Sequence, residues 1–137
     1  MARTTLAVTN LPGNTAILNN AGTNIDQANG MNIPIVTNAI PATGNLDRLV
    51  LYVANSAGST ITVTVRAGAN TTGDPQGPAF EAGKGDLVTG NLTASTGTAF
   101  IGPFEIARFI QPDGSVNVDF GSGATGKIYA LLLARAF

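Results

Sequence analysis

The chain has 137 residues with no cysteine, no histidine and no tryptophan, and a net charge of −1. Without Cys and His it lacks disulfides, thiolate chemistry, the usual transition-metal ligands and the side chain best suited to proton transfer near neutral pH. Only 11% of its residues are charged, against about 25% in an average soluble domain, so no basic patch is present to neutralise phosphates, and nucleic-acid binding is not expected.

A surface with so few charges is polar through its abundant Thr, Asn, Ser and Gly. Two readings stay open: an ordinary all-β domain from an extracellular setting, or a surface largely covered by neighbours. The length suits one domain, which at this size buries about two thirds of the surface of its unfolded chain. Residues 1–12 read as an N-terminal strand or extended arm and residues 13–137 as the domain itself. The opening MARTTLAVTN has no apolar run of signal-peptide length, and the most apolar stretch, residues 128–134, is too short for a membrane helix. The expectation is a soluble protein made in a cytoplasm, with no membrane partner.

In chain order, Leu6, Val8 and Asn10 alternate with Thr5, Ala7 and Thr9, the period-2 signature of an extended segment. Pro12-Gly13 closes it. Residues 14–32 are rich in Asn, Gly and Ala and read as a long loop. Residues 31–40 carry Ile33, Ile35, Val36 and Ile40, but Pro34 and Pro41 restrict them to an edge strand. Residues 48–67 read as two strands joined by a turn at residues 55–59. The first, residues 49–54, is apolar on both parities and belongs at a sheet centre or under double cover. In the second, Ile61, Val63 and Val65 alternate with Thr60, Thr62, Thr64 and Arg66. Residues 68–85 form a second long connection, with Phe80 its anchor to the core.

Residues 87–93 and 98–101 read as strands around a turn at 94–97. Residues 104–110 read as another strand, followed by a turn at 111–115, QPDGS. Val116, Val118 and Phe120 alternate with Asn117 and Asp119. After a glycine-rich turn, residues 127–135 are almost wholly apolar and read as the most buried strand. About eight short strands with no 3.6-residue period give an all-β fold, an antiparallel sandwich or jelly roll, with a small barrel the other option.

Residues 121–127, GSGATGK, match G-x-G-x-x-G and most of a P-loop on paper. Both templates need a following helix, and the P-loop needs Ser or Thr where Ile128 stands. A hairpin turn is the better reading. The acids Asp26, Asp47, Asp74, Glu81, Asp86, Glu105, Asp113 and Asp119 are scattered, mostly at turns, and suggest caps rather than a catalytic pair. The Asn-rich stretch 19–29 with Asp26 matches no calcium-loop template. The six Phe and two Tyr fall mostly at positions read as core, leaving no aromatic platform for sugar or single strands. No catalytic, metal or cofactor site is expected, and no enzyme.

The Gly102-Pro103-Phe104-Glu105 turn and the Pro112-Asp113-Gly114 turn, with a weaker contribution from residues 49–65, give the chain a resemblance over about two thirds of its length. It resembles the capsid decoration, or cement, proteins encoded among the head genes of tailed bacteriophages. The resemblance implies a homotrimeric jelly roll or related sandwich on the outer surface of the virion, bound to the major capsid protein where capsomers meet and stabilising the shell. Contacts are then expected in the N-terminal arm (Arg3, Thr4, Thr5, Leu6 and Val8), in the loops 14–32 and 68–85 with Phe80, and at Phe137. The alternative is a carbohydrate- or receptor-binding sandwich of a virion tail or attachment structure.

Overall fold

In the computed structural model, residues 2–34, 48–68, 85–104, 106–111 and 114–133 are described. Among them, ten strands form two mixed sheets that face each other as a β-sandwich and do not close into a barrel. The first sheet has the order β1 (Thr4–Thr5), β4 (Met31–Ile33), β9 (Val116–Phe120), β6 (Val63–Val65), β7 (Leu87–Val88). The second has the order β2 (Val8–Leu11), β10 (Gly126–Leu133), β5 (Leu49–Asn55), β8 (Thr98–Ile101), with β3 (Thr23–Asn24) also paired to β10.

The core follows directly from alternation. Leu49, Leu51 and Val53 of β5 and Ile128, Ala130 and Leu132 of β10 point inward from the second sheet. Val63, Val65, Val116, Val118, Met31 and Ile33 meet them from the first. Burying these aliphatic faces against one another is what holds the layers together.

The N-terminal segment is the reason the sheets are mixed. It enters the first sheet as β1, parallel to β4, and continues into the second as β2, parallel to β10. Leu6 lies at the crossing, 1% exposed in the core, with its N–H donating to the Asn32 carbonyl at 2.8 Å. This segment is a strap across the sandwich.

Several expected pairings differ. Residues 48–67 do not form a hairpin: β5 and β6 lie in opposite sheets, and the chain arches between them. Asn55 stabilises the arch, its buried amide donating to the Ser59 and Thr93 carbonyls (3.0 and 2.9 Å) and its Oδ1 accepting from the Ala57 N–H at 2.8 Å. Residues 121–125 likewise connect β9 in one sheet to β10 in the other, so the GSGATGK stretch is a bridge between layers and leads into a strand. At Gly126, with φ +139°, the backbone passes so close to the Ala54 carbonyl that a side chain has no room.

The expected edge strand at 31–40 is an interior strand over Met31–Ile33, paired on both sides and ending before Pro34. Pro34 thus sits outside the ladder rather than at its edge; residues 35–40 lie outside those described. The loop 14–32 contains β3, antiparallel to β10. Within residues 104–110, expected as a strand, Ile106–Phe109 is a single helical turn. That turn brings Phe104 and Phe109 to the same side, edge to face at 5.3 Å in the core, where a strand sends them to opposite sides. Residues 87–93 are paired only at β7 and through the Ile61–Leu92 bridge.

Candidate interaction surface

The outer face of the second sheet is built from the residues of β5 and β10 that do not enter the core. Their sequences are apolar on both parities, so one parity fills the interior and the other leaves Val50, Tyr52 and Ala54, with Tyr129, Leu131 and Leu133, on the outside. Strand β10 is therefore not buried on both faces as its composition suggested; it is central, half-covered and flanked by β5, β2 and β3.

Register arranges these residues in rows across the strands. Tyr129 lies opposite Tyr52, and Tyr52 opposite Phe100. Their rings pack at 5.6 and 4.8 Å with interplanar angles of 51° and 44°, the tilted arrangement aromatic pairs favour. Phe100 ends the row at the sheet edge, 77% exposed. A neighbouring row joins Leu131 to Val50. The aromatic expectation is thus corrected: Phe104, Phe109 and Phe120 are core, but Tyr52, Tyr129 and Phe100 form an outward row.

The loop after β2 makes one wall of a groove over this row. Leu11, Ile17, Tyr52, Phe100, Tyr129 and Leu131 line most of a space of about 510 Å³, with Asn20 and Thr98 as its polar contacts. Gly22 lets the loop lie this close: at φ +68° its backbone sits against the Tyr129 ring, and a Cβ there falls 2.7 Å from it. Ile17 and Leu18, 37% and 79% exposed, continue the apolar surface along the loop. Among the described outward positions of β2, β10, β5 and β8, Lys127 alone carries a charge.

The outer face of the first sheet has the opposite character. Arg3, Asp119, Arg66 and Asp86 form a continuous chain of ion pairs at 2.5, 2.5 and 2.9 Å. Asp86 also accepts the Ala67 N–H at 2.6 Å, and Asn32 donates to Ser115 and Asn117 at 2.7 and 2.8 Å. Burial pushes the Asp119 carboxyl upward, but the hydrogen bonds and charges of Arg3 and Arg66 outweigh it and hold its pKa below the ordinary 3.8. The same contacts, Asp119 first and then Asp86, raise Arg66. Asp26 is also held low, by the Thr4 hydroxyl and then by Asn29. Its carboxylate caps the turn at residues 26–29, accepting the Asn29 N–H at 3.1 Å. Among the described residues no group of three or more acids is placed to hold a metal ion.

The interface residues expected from sequence divide accordingly. Arg3 belongs to the ion-pair chain, Thr4 and Thr5 are paired to β4, Leu6 is core, and Val8 packs against the core. They are brought together as a structural strap rather than as a free arm. Phe80 and Phe137 lie outside the described residues, as do residues 69–84 of the second long loop. The sequence reading did not single out Leu11, Tyr52, Phe100, Tyr129 or Leu131. Their signal was the double-parity apolar run, which fits an exposed binding face as well as double burial.

Comparison of the chain with protein-family models, with curated proteins and with solved structures found no match in any of the three.

Proposed function

We propose that this chain is a structural binding protein that covers and grips other protein, and that it acts as a decoration, or cement, protein on the outer surface of a tailed-phage head shell. The supporting observation is the outer face of the second sheet: an aromatic and aliphatic surface with a groove, half-buried along Val50, Tyr52, Tyr129 and Leu131, exposed at Phe100 and the flanking Ile17 and Leu18, and almost free of charge. Apolar surface of this kind, contiguous and left in water, marks interaction sites. Its occupant is a similarly uncharged protein surface, because a charged partner brings ions that Lys127 alone cannot match and that lose their hydration on docking.

The resemblance to capsid decoration proteins carried by the Gly102–Glu105 and Pro112–Gly114 turns makes the major capsid protein the proposed partner. A standard interface buries about 1,600 Å² in total, and repetition around a shell converts modest individual contacts into strong retention through effective concentration.

A second reading, a carbohydrate-binding module, is favoured by one observation: the Tyr129–Tyr52–Phe100 row with Asn20 and Thr98 beside it. Against it, the rings are tilted by 44° and 51° and present no flat stacking platform.

Electron microscopy of tailed-phage head shells incubated with the purified chain tests the proposal. Regular occupancy at fixed lattice positions is expected. Bare shells at saturating protein, together with selective retention on a glycan array, reverse the order of the two readings.

A further inference from the structure

We infer that the chain self-associates through the edge of β8 that no described strand covers, two copies pairing antiparallel about a two-fold axis, rather than as the homotrimer the resemblance implies, so that their second sheets become one continuous sheet. The argument starts from the direction of the backbone groups. The Asn55 N–H donates to the Gly97 carbonyl at 2.8 Å, and the register runs Ala54↔Thr98, Val53↔Ala99, Tyr52↔Phe100, Leu51↔Ile101. In an antiparallel ladder the hydrogen-bonding residues alternate, so Gly97, Ala99 and Ile101 face β5. Thr98 and Phe100 therefore turn both N–H and C=O toward the open edge. Strand β8 pairs only with β5 among the described residues.

Exposed edges in soluble proteins are ordinarily blunted by charge or proline. Strand β1 abuts Arg3 and β7 abuts Asp86, both in ion pairs. By contrast, residues 90–102, GNLTASTGTAFIG, carry no charge and no proline, so nothing repels an identical strand. The pattern is also self-complementary. With Thr98 opposite Phe100 of the second copy, each exchanges both backbone bonds with the other, and the two-fold passes between the facing Ala99 residues.

The side chains favour the same partner. The row Tyr129–Tyr52–Phe100 runs across three strands in register and stops at the edge on a ring that is 77% exposed. In the paired arrangement Phe100 lies diagonal to Phe100 of the second copy, within reach of an aromatic contact, and covers surface it otherwise shows to water. A second copy is the occupant that presents both a neutral strand and a matching ring. The ladder is short, with four residues in β8, so the dimer is expected to dissociate in the micromolar range, roughly.

Sedimentation velocity of the full chain from about 1 to 500 µM, with hydrogen exchange at both ends of that range, tests this without any phage component. A monomer–dimer equilibrium is expected, with the Thr98 and Phe100 amides exchanging at least tenfold more slowly in the concentrated sample. Thr98→Pro removes an N–H that makes no bond among the described residues, and Phe100→Lys sets like charges on the diagonal across the seam; both variants are expected to keep the wild-type circular dichroism and remain monomeric. A wild-type monomer at 500 µM overturns the inference, as does a dimer or trimer whose Thr98 and Phe100 amides stay unprotected. Association unaffected by Phe100→Lys overturns it too, whether or not Thr98→Pro folds.

Discussion

The two outer faces of this sandwich are made by the same period-2 rule and end in opposite chemistry. On the first sheet the outward parity is Asn32, Asn117, Asp119 and Thr64: Arg3 and Arg66 pair with Asp119, and the Asn32 amide donates to Asn117. On the second the outward parity is Tyr129, Leu131, Val50, Tyr52 and Phe100, whose only mutual contacts are ring to ring and side chain to side chain. The first face is self-sufficient in water. The second leaves apolar surface exposed, and that imbalance is a reason to look for a partner there.

Substitution tests this contrast most strongly in binding. Leu131→Arg places a charge in the middle of the apolar face and is expected to reduce shell occupancy at least a hundredfold while changing stability by under about 1 kcal/mol, since the residue is only partly buried in the free protein. Val88→Arg, at a 58% exposed position on the opposite sheet, is expected to leave occupancy unchanged. Quantitative imaging of decorated shells and urea melts of both variants give the two readouts. Equal losses from both substitutions remove the distinction between the faces.

The strap that joins the faces is expected to show a large stability effect and no direct binding effect. Leu6→Ala deletes a side chain that is 1% exposed between the sheets and is expected to cost about 2–5 kcal/mol in denaturant melts. A truncation of residues 2–9 is expected to destabilise further, because β1, part of β2 and the Arg3–Asp119 pair go with it.

Smaller effects attach to the charged face. Asp119→Asn breaks two ion pairs whose side chains are 24% (Asp119), 28% (Arg3) and 46% (Arg66) exposed; solvent screening limits the loss to about 1 kcal/mol, shrinking in high salt. The pH dependence has a definite sign. Asp119 and Asp26 have folded pKa values below the ordinary 3.8, so the stability they confer is present above 3.8 and is lost as pH falls through their folded values. Melts between pH 5 and pH 2, values chosen roughly to span that range, are expected to show an acid loss that Asp119→Asn diminishes. An unchanged acid slope contradicts the assigned ion pairs.

Much of the layer structure was legible in the chain. The inward sets Ile61, Val63, Val65 and Val116, Val118, Phe120 were set by alternation alone, and they lie in the core. Pairing was not legible, because period 2 specifies which side of a strand is buried and not which strand lies beside it. Residues 48–67 have the same pattern whether they fold back as a hairpin or arch across the sandwich, and the deciding feature is the Asn55 side chain reaching Thr93. Alternation also misled at residues 104–110, where Phe104 and Phe109 share a side only because a helical turn intervenes. The candidate face was present as the double apolar parity of residues 49–54 and 127–133. A strand covered on both sides and a strand offering one side to a partner have the same composition, and only the position of the second layer separates them.

The most direct measurement is a residue-resolution electron-microscopy map of shells decorated with this chain. The account predicts that Tyr52, Tyr129 and Leu131 lie within contact distance of the capsid protein while the Arg3–Asp119–Arg66 chain faces solvent. A map in which the ion-pair face meets the shell and the aromatic row stands in open water contradicts it.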